Sequence, residues 1–357
     1  MLKMKKSRRY LTGIVSIILF AVSPLSLLPG GAKTVYLPDN INVEENAFKT
    51  TPIGNTSDII YSILGICIVD DYIYLLDYKN YSVVKLSFQG KVAARFGRKG
   101  EGPGEILRLS GIASFGDNIA IVDMYKVIIC DTDLKFLREI KLKQRFHDII
   151  LTTDNNIYFY NNPSYYNYYF TIYSKDFKYL KKFGIKKPGA KEIDEKKLNF
   201  KNYRYSRDIV WQTLYVPEEN GIWVSFRDRH DLRYYKDEKV VVNIKPKVQM
   251  YSSKEDFFSG VKVKSYTDYS HHIAKHENQL YHFYVIKDTL FCDMFDLSAN
   301  YRLIRRLESP SLYYPIAHAK DAVFYGFRYD KELESRILDK IQIKKRRKPN
   351  VNLKKTR

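Results

Sequence analysis

Short apolar runs alternate with polar turns along most of this chain, and one block of the pattern occurs twice in succession. Residues 65–97 (GICIVDDYIYLLDYKNYSVVKLSFQGKVAARFG) return in outline as residues 111–142 (GIASFGDNIAIVDMYKVIICDTDLKFLREIKL), with Gly65 aligned to Gly111 at an offset of 46 residues. The runs have the length of ordinary β-strands. A repeat of this length made of short strands predicts one four-stranded blade of a β-propeller.

The first block divides into four predicted strands, at residues 65–69, 72–77, 82–87 and 92–97. The breaks between them are rich in Asp, Asn and Gly, which adopt turn conformations at little cost. Residues 33–60 precede the block and are polar with only short apolar pieces. They are predicted to form a lead-in segment.

Weaker copies of the unit follow. We assign a third to residues 147–184, a fourth to 214–245, a fifth to 271–307 and the start of a sixth to 314–328. The predicted fold class is all-β, a six-bladed β-propeller of four-stranded antiparallel blades. Seven blades are the alternative if polar stretches hide further strands. Such a ring closes when a strand from one terminus pairs with the other terminus, which removes exposed edges.

The composition agrees with one large β domain. The chain has 357 residues, 45% of them hydrophobic, with 31 Tyr and 20 Phe. Aromatic side chains pack well on a pleated, half-buried surface, and all-β repeat proteins commonly exceed the average domain size. We therefore predict one propeller domain over residues 33–357, including a basic segment at residues 340–357.

The N-terminus has the pattern of a secretory signal. Five basic residues precede an apolar run at residues 11–28, and the small residues Gly30 and Ala32 follow it. This order predicts a signal peptide over residues 1–32. An uncleaved membrane anchor is the alternative, because about 20 apolar residues span a bilayer. Either reading predicts export to the periplasm or cell envelope, with membrane association through this segment in the second case.

The net charge of +20 is concentrated at the two ends. Residues 1–32 carry five basic residues and residues 340–357 carry nine, and neither segment has an acid. Because an exported protein does not meet nucleic acid, we exclude a nucleic-acid partner despite the charge. The C-terminal KKRRK cluster is predicted to be a solvated turn before a closing strand at residues 351–353. Adhesion to anionic lipid or glycan is the alternative.

The first block also carries a family resemblance. The motif Asp-x-Ile-Tyr-x-x-Asp at residues 71–77 is followed by a Phe-Gln-Gly-Lys hairpin at 88–91 and by FGRKGEGPGE at 96–105. This combination resembles the exported bacterial six-bladed β-propellers related to NHL repeats, most closely over residues 58–142. The resemblance implies a six-bladed ring outside the cytoplasm. It implies no particular reaction, because members of the family mostly lack an assigned one.

The glycine-rich segment at residues 97–105 is the first candidate ligand site. Its four glycines permit backbone conformations closed to other residues, and bare N–H groups can bind an anion. No Walker pattern is present, so a phosphate loop is not indicated. The alternative is an interblade crossover in which Glu105 accepts a hydrogen bond from nearby backbone. If a ligand contacts this segment, Arg98, Lys99, Glu101 and Glu105 are the candidate side chains.

An aromatic run at residues 158–173 (YFYNNPSYYNYYFTIY) is the second candidate ligand site, with Tyr165 and Tyr166 as its candidate contacts. Tyrosine rings bury much area at a small cost in entropy, and their hydroxyls add hydrogen bonds to sugars or peptides. Trp211 and Trp223 extend this hypothesis. The alternative is strand core in a tyrosine-rich chain.

Asp77 and Asp123 occupy the same position of successive units, at the end of the second predicted strand. An active site would occur once, whereas a folding device recurs with the repeat. We therefore predict a structural role for both residues, with their carboxylates accepting hydrogen bonds from N–H groups of the following turn.

Five histidines are possible metal ligands by residue type alone: His271, His272, His276, His282 and His318. A two-histidine site at i, i+4 needs a helix, and this region is predicted to be strand, turn and strand. Only convergence of several blades at a central channel would bring such residues together. We predict no metal and no cofactor.

The cysteines are Cys67, Cys130 and Cys292, far apart in apolar, strand-like runs. An odd count leaves at least one unpaired thiol, and no CxxC pair exists. We predict that all three act as small buried hydrophobes.

These observations predict a non-catalytic binding or interaction module outside the cytoplasm, for an unknown protein, peptide or glycan. The ligand is expected at the interblade loops or the channel mouth, where several blades converge. Two alternatives stay open: a propeller hydrolase or lyase with a metal in the central channel, and a membrane-anchored envelope scaffold. The sequence contains no nucleophile elbow and no HExxH motif to favour the enzyme.

Overall fold

The computed structural model describes residues 32–344, except residues 39–41, 56–59, 61, 124, 145, 147, 152–155, 162–167, 186–212, 219–220, 227–231, 237–238, 246–268, 287–288 and 312. Every regular element among the described residues is a β-strand, and these strands form six sheets. Each sheet is one blade, and the blades are numbered here in chain order.

The N-terminal segment contributes β1 Lys33–Tyr36, β2 Val43–Glu44 and β3 Phe48–Asn55. The first blade contains β4 Ile63–Val69, β5 Tyr72–Asp77, β6 Ser82–Ser87 and β7 Val92–Phe96. The second contains β8 Leu109–Phe115, β9 Asn118–Asp123, β10 Lys126–Asp131 and β11 Phe136–Lys141. The third contains β12 Asp148–Leu151, β13 Ile157–Tyr160, β14 Tyr168–Tyr173 and β15 Tyr179–Ile185.

The fourth blade contains β16 Thr213–Glu218, β17 Gly221–Phe226, β18 Leu232–Lys236 and β19 Lys239–Lys245. The fifth contains β20 Tyr269–His276, β21 Gln279–Ile286, β22 Thr289–Asp296 and β23 Arg302–Glu308. The sixth contains β24 Tyr313–Lys320, β25 Val323–Asp330 and β26 Ser335–Ile343. The predicted strands of the first block agree with β4–β7 to within two residues at each end.

The blades form a closed ring. First strands of neighbouring blades contact one another in the orders β24–β4–β8–β12 and β16–β20–β24. Six apolar clusters lie one between each pair of neighbouring blades, including the sixth and the first. The prediction of six blades is confirmed.

Both faces of each blade are buried, which explains why the strands appear in the sequence as continuous apolar runs. In β5, Tyr74 and Leu76 pack against the second blade, whereas Ile73 and Leu75 pack against the sixth. A strand buried on both sides has no polar face and therefore loses the alternation of a half-buried strand.

The N-terminal strand β3 closes the ring. It pairs antiparallel with β26, from Phe48 opposite Ile343 to Asn55 opposite Ile337, and so forms the outer strand of the sixth blade. The prediction that the two termini pair is confirmed. Residues 351–353, predicted as a closing strand, lie outside the described residues, and β3 occupies the outer position on β26.

The lead-in prediction for residues 33–60 is wrong, because this segment adds strands to three blades. β1 pairs in parallel with β19 and β2 with β23, so the fourth and fifth blades have five strands and are not purely antiparallel. Between these strands Leu37 enters the cluster of the fourth and fifth blades, and Ala47 and Phe48 enter that of the fifth and sixth. Glu44 fixes β2 through an ion pair with Arg305 at 2.7 Å. We call residues 33–55 the N-terminal strap.

Candidate functional site

The glycine-rich crossover leads from the outer strand of the first blade, β7, to the inner strand of the second, β8. Gly97 and Gly104 adopt left-handed backbone conformations, with φ of 96° and 70°. A Cβ at Gly97 would overlap the side chain of Ile106. Ile106 is fully buried in the apolar cluster between the two blades. Glycine therefore lets the chain fold back far enough for Ile106 to fill the gap between blades.

The Glu105 carboxylate stabilises the crossover by hydrogen bonds to two of its residues. Its Oε2 accepts a hydrogen bond from the Gly102 N–H at 2.9 Å, and its Oε1 accepts one from Arg98 Nε at 2.9 Å. These contacts lower the pKa of Glu105, first through the Gly102 N–H and then through the Arg98 charge. The predicted hydrogen bond from nearby backbone to Glu105 is confirmed. Ligand binding by this carboxylate stays a prediction.

The second blade holds the other side of the crossover. Lys126 donates to the Gly102 carbonyl at 3.2 Å and pairs with Glu139 at 3.1 Å. The Gly104 N–H donates to the same Glu139 carboxylate at 3.3 Å. The crossover is therefore tied to both blades that it connects.

Tyrosine rings and cations share one surface beside this crossover. The rings of Tyr78 and Tyr81, in the turn after β5, have centroids 6.4 Å apart, and Lys99 Nζ lies 5.1 Å from the Tyr81 centroid. Tyr78 is 42% exposed and the Arg98 side chain 82% exposed. We call Tyr78, Tyr81, Arg98 and Lys99 the tyrosine–cation surface. Glu101 is exposed in the same crossover.

Two further exposed apolar side chains border this region, Leu107 and Tyr125. The Leu107 N–H donates to Asp123 Oδ2 at 3.0 Å, and Tyr125 follows Asp123 in the next turn. Sequence reasoning missed Tyr78, Tyr81, Leu107 and Tyr125 as candidate contacts. The available signal was their position in turns next to the glycine-rich segment.

Asp77 and Asp123 have the structural role predicted for them, with different donors. Asp77 Oδ1 accepts a hydrogen bond from the Ser62 N–H at 3.1 Å, and the Asp123 carboxylate accepts from the N–H groups of Leu107 and Arg108. Both carboxylates are buried. These backbone donors precede the inner strand of the same blade, and the Asn80 side chain of the following turn also donates to Asp77 Oδ2 at 2.8 Å. Each Asp therefore fixes the point where the chain enters its blade.

Asn161 is the third copy of this device. It directly follows β13, at the position that Asp123 holds as the last residue of β9, and it is fully buried. Its Nδ2 donates to Thr171 Oγ1 at 2.9 Å, and its Oδ1 accepts from Gln144 Nε2 at 3.1 Å. Gln144 lies before the inner strand of its blade, like the backbone donors in the first two blades. When Ile157 is aligned with Ile119, Asn161 falls at the position of Asp123 in the sequence.

Two of the five histidines meet between the fifth and sixth blades. The rings of His276 and His318 have centroids 5.9 Å apart, and His276 Nε2 lies 3.1 Å from Asp321 Oδ1. Burial lowers the pKa of His318. His271 and His272 lie with His276 in β20, a strand as predicted. Within the part of the chain that the structure describes, no group of three His, Cys, Asp or Glu residues is arranged to hold a metal ion.

A buried polar cluster joins the fourth and fifth blades. Ser225 Oγ lies 3.2 Å from His282 Nε2, and His282 stands opposite Asp293 on the neighbouring strand. Arg306 donates two hydrogen bonds of 2.7 Å to the Asp293 carboxylate, and the Tyr284 hydroxyl donates a third at 3.1 Å. Burial raises the pKa of Asp293, and Arg306 offsets part of that rise.

This cluster contains the residue types of a serine hydrolase triad. Ser225, His282 and Asp293 are nevertheless 0% exposed. A nucleophile must be accessible to its substrate, and Ser225 is not. In the present geometry these residues form a buried polar contact between the fourth and fifth blades.

The described rings of the aromatic run at residues 158–173 belong largely to the core. Those that are buried are Phe159, Tyr160, Phe170 and Tyr173. Trp223 is 1% exposed and packs between the fourth and fifth blades. The strand-core alternative is confirmed for these residues, whereas Tyr165, Tyr166 and Trp211 lie outside the described residues.

All three cysteines are free thiols. Cys130 and Cys292 are buried as predicted, while Cys67 is only partly buried. Burial raises the pKa of the Cys130 thiol to about 12, which leaves it protonated and unreactive at neutral pH.

The predicted signal segment and the C-terminal basic cluster lie almost entirely outside the described residues, which begin at Ala32 and end at Lys344. Among the residues that are described, no helix has the length and apolar character needed to cross a membrane. The prediction of a cleaved signal or an anchor therefore stays a prediction.

Comparison with known proteins identifies the scaffold. Residues 55–306 match the model of a family described as a 6-bladed beta-propeller. A presumed exported protein from Bacteroides fragilis is similar in structure, with a TM-score of 0.59 and 15% identity over 87% of this chain and 99% of its own. A member of the DUF4221 family from Bacteroides vulgatus has a TM-score of 0.56 and 10% identity over 85% and 98%.

A streptogramin B lyase aligns less well, with a TM-score of 0.48 and 10% identity over 83% of this chain and 98% of its own. No curated protein sequence matches the chain significantly. At these identities the structural likenesses show the fold and no activity.

Proposed function

The chain belongs to a family of six-bladed β-propellers, and on this scaffold we propose that it is an exported binding module whose tyrosine–cation surface holds an acidic glycan. The observation that carries the proposal is the stack of the exposed Tyr78 on the partly buried Tyr81, with Lys99 over the Tyr81 ring and an exposed Arg98 beside it. Propellers place their ligands on loops that a rigid ring positions, and this surface is built from such loops.

Export is supported by two observations. The N-terminal segment has the order of a secretory signal, with basic residues, an apolar run and small residues in succession. A structurally similar protein from Bacteroides fragilis is itself presumed to be exported. We place the protein in the periplasm or cell envelope, where polysaccharides are within reach.

The chemistry of the surface favours an acidic sugar polymer. The flat face of a pyranose ring carries C–H groups that pack on an aromatic ring, and Tyr78 offers a face that is 42% exposed. The Lys99 ammonium and the Arg98 guanidinium provide the positive charge that a carboxylate or sulfate needs. The Glu105 carboxylate contacts the Arg98 guanidinium at Nε and at one terminal nitrogen. Because the Arg98 side chain is 82% exposed, the other N–H donors of the guanidinium face solvent.

The crossover that carries Arg98 and Lys99 is preorganised by contacts within the protein. Ile106 is buried between the blades, and the Glu105 carboxylate braces the crossover from Arg98 to Gly102. A surface that is already ordered loses little entropy on binding. Loops with these contacts therefore support specific recognition by few residues.

The proposal is tested by calorimetric titration of the exported protein with polygalacturonate and, as the neutral counterpart, dextran. We expect binding of polygalacturonate only, and a loss of at least about fivefold in affinity for Tyr78→Ala and for Lys99→Ala, since one aromatic or charge contact contributes about 1 kcal/mol. Tyr179→Ala is the matched control, because Tyr179 is 55% exposed on the outer strand of the third blade. Equal binding of the two polymers, or unchanged affinity in both surface variants, would contradict the proposal.

The rival predictions have their own measurements. A propeller hydrolase or lyase with a channel metal requires stoichiometric metal in the purified protein, which elemental analysis detects. An envelope scaffold requires residues 1–32 to remain attached, whereas a mature N-terminus at Lys33 in mass spectrometry would exclude the anchor.

A further inference from the structure

Described strands of the chain itself cover the outer edges of some blades, and the other outer edges have no described partner strand. β1 adds to β19 with Lys33 opposite Val242, and β2 adds to β23 with Val43 opposite Arg306. Among the described strands, none pairs with the outer side of β7, β11 or β15. An uncovered edge presents N–H and C=O groups that another extended chain can bind.

The outer strand of the second blade also exposes an apolar pair. Phe136 is 40% exposed and Leu137 52% exposed at the start of β11. The third blade repeats this feature in β15, where Tyr179 is 55% exposed and Leu180 47% exposed. Both pairs follow a turn of the type Asp-x-Lys. The exposed pair is therefore part of the repeat in these two blades.

Most of the charges that face solvent along β11 and the turn before it are basic. The exposed cations of this stretch are Lys135, Arg138 and Lys141. Its two acids are paired within the chain, Glu139 with Lys126 at 3.1 Å and Asp133 with Lys85 at 2.9 Å, and of these two only Asp133, at 68% exposure, also faces solvent. A strand approaching this edge thus meets apolar side chains and positive charge.

The backbone of β11 has donors pointing outward. The Leu142 N–H donates to the Tyr125 carbonyl at 2.6 Å, which marks a hydrogen-bonded pair at the end of the β10–β11 ladder. Bonded and non-bonded pairs alternate along an antiparallel ladder. The N–H groups of Glu139 and Lys141, in the non-bonded pairs, therefore point away from β10 and towards solvent.

We propose that the outer edge of β11 binds an extended, acidic segment of a partner protein as a fifth strand, as the N-terminal strap does on the fourth and fifth blades. Main-chain hydrogen bonds to the edge supply affinity, and Phe136 and Leu137 contact apolar side chains of the partner. Arg138 and Lys141 select acidic segments, because like charges across a strand pair destabilise it. The same charges disfavour the pairing of basic strands with this edge.

Fluorescence anisotropy with the exported protein tests this directly. The probes are two labelled octapeptides, one alternating Glu and Val and one alternating Lys and Val. We expect the Glu–Val probe to bind and the Lys–Val probe not to bind. Lys141→Pro removes one outward N–H and should weaken binding by about tenfold or more, while Lys141→Gln keeps the N–H and should weaken it by less than about threefold.

Charge reversal provides a second, independent test. Arg138→Glu should abolish Glu–Val binding at low salt. Arg302→Glu is its matched control, because Arg302 is an exposed arginine on the outer strand of another blade, β23, which pairs with β2 at Arg306 and Leu307. Equal thermal midpoints of the variants establish that each is folded. The proposal is overturned if neither probe binds, if both bind equally, if both β11 variants bind normally, or if the edge instead mediates self-association that Lys141→Pro abolishes.

Discussion

Replacing Arg306 with Met removes the charge that compensates a buried carboxylate. Arg306 donates two hydrogen bonds of 2.7 Å to Asp293, which is 0% exposed, and Met retains only the apolar stem. The Tyr284 hydroxyl at 3.1 Å is the remaining donor among the contacts described above. Removal of one partner from a buried ion pair costs about 3–5 kcal/mol. We expect this loss in the free energy of unfolding at neutral pH.

The loss should depend on pH in a definite direction. Burial already raises the folded-state pKa of Asp293 above the unfolded value of about 3.9. Because the folded state then binds the proton more tightly, the stabilisation from this titration is present below about pH 4 and is lost as pH rises through the folded pKa. Without Arg306 the folded pKa rises further. The penalty of Arg306→Met is therefore small in acid and grows towards neutral pH.

Urea unfolding of the wild type and the variant at about pH 4.5 and pH 7 measures this difference. The double variant Asp293→Asn/Arg306→Met has no charge left to compensate and should recover most of the loss. Arg302→Met is the control, since Arg302 lies exposed on the same strand. A penalty below about 1 kcal/mol at pH 7, or one of equal size at both pH values, would refute the assignment of a buried charge to Asp293.

Three further outcomes are expected. Asp123→Ala should cost about 2–4 kcal/mol in urea unfolding, because two backbone N–H groups, one of them at Leu107, lose a buried acceptor. Gly97→Ala should lower the thermal midpoint more than Gly116→Ala, since both have positive φ but only at Gly97 does an added Cβ collide with its neighbours; equal shifts would contradict this. The Cys130 thiol, with its pKa raised to about 12, should resist iodoacetamide in the folded protein and react after unfolding, as mass spectrometry can show.

The blades could be predicted because each carries its own local signal. Strands such as β5 and β9 are buried on both faces, so they appear as uninterrupted apolar runs between turn residues. The N-terminal strap has no such signal. β1 and β2 are short and bind to a sheet by one edge, so their side chains alternate between contact and solvent over only a few residues. Their pairing depends on which edges are free in the assembled ring, which is not a property of the local sequence.

The candidate site could be predicted in part for a related reason. The glycine-rich crossover was visible because it interrupts the repeat, and the bracing role of Glu105 follows from its spacing to Gly102. The cluster of Ser225, His282 and Asp293 gave no signal, since its members come from different blades or lie many residues apart. Contacts between blades are set by ring geometry, and a single sequence carries no record of them.

The six blades fall into two groups of three, those that pair with a strand of the N-terminal strap and those that do not pair with a described strand of it. The strap supplies outer strands to the fourth, fifth and sixth blades and places Leu37 and Phe48 between them. The first three blades obtain no described strand from it, so among the described residues no strand covers their outer edges, which carry the exposed apolar pairs of β11 and β15. The tyrosine–cation surface lies at the junction of the first and second blades. Both surfaces that we propose to bind partners therefore lie on the first three blades. In the other three blades, the strands of the strap pair with the outer edges.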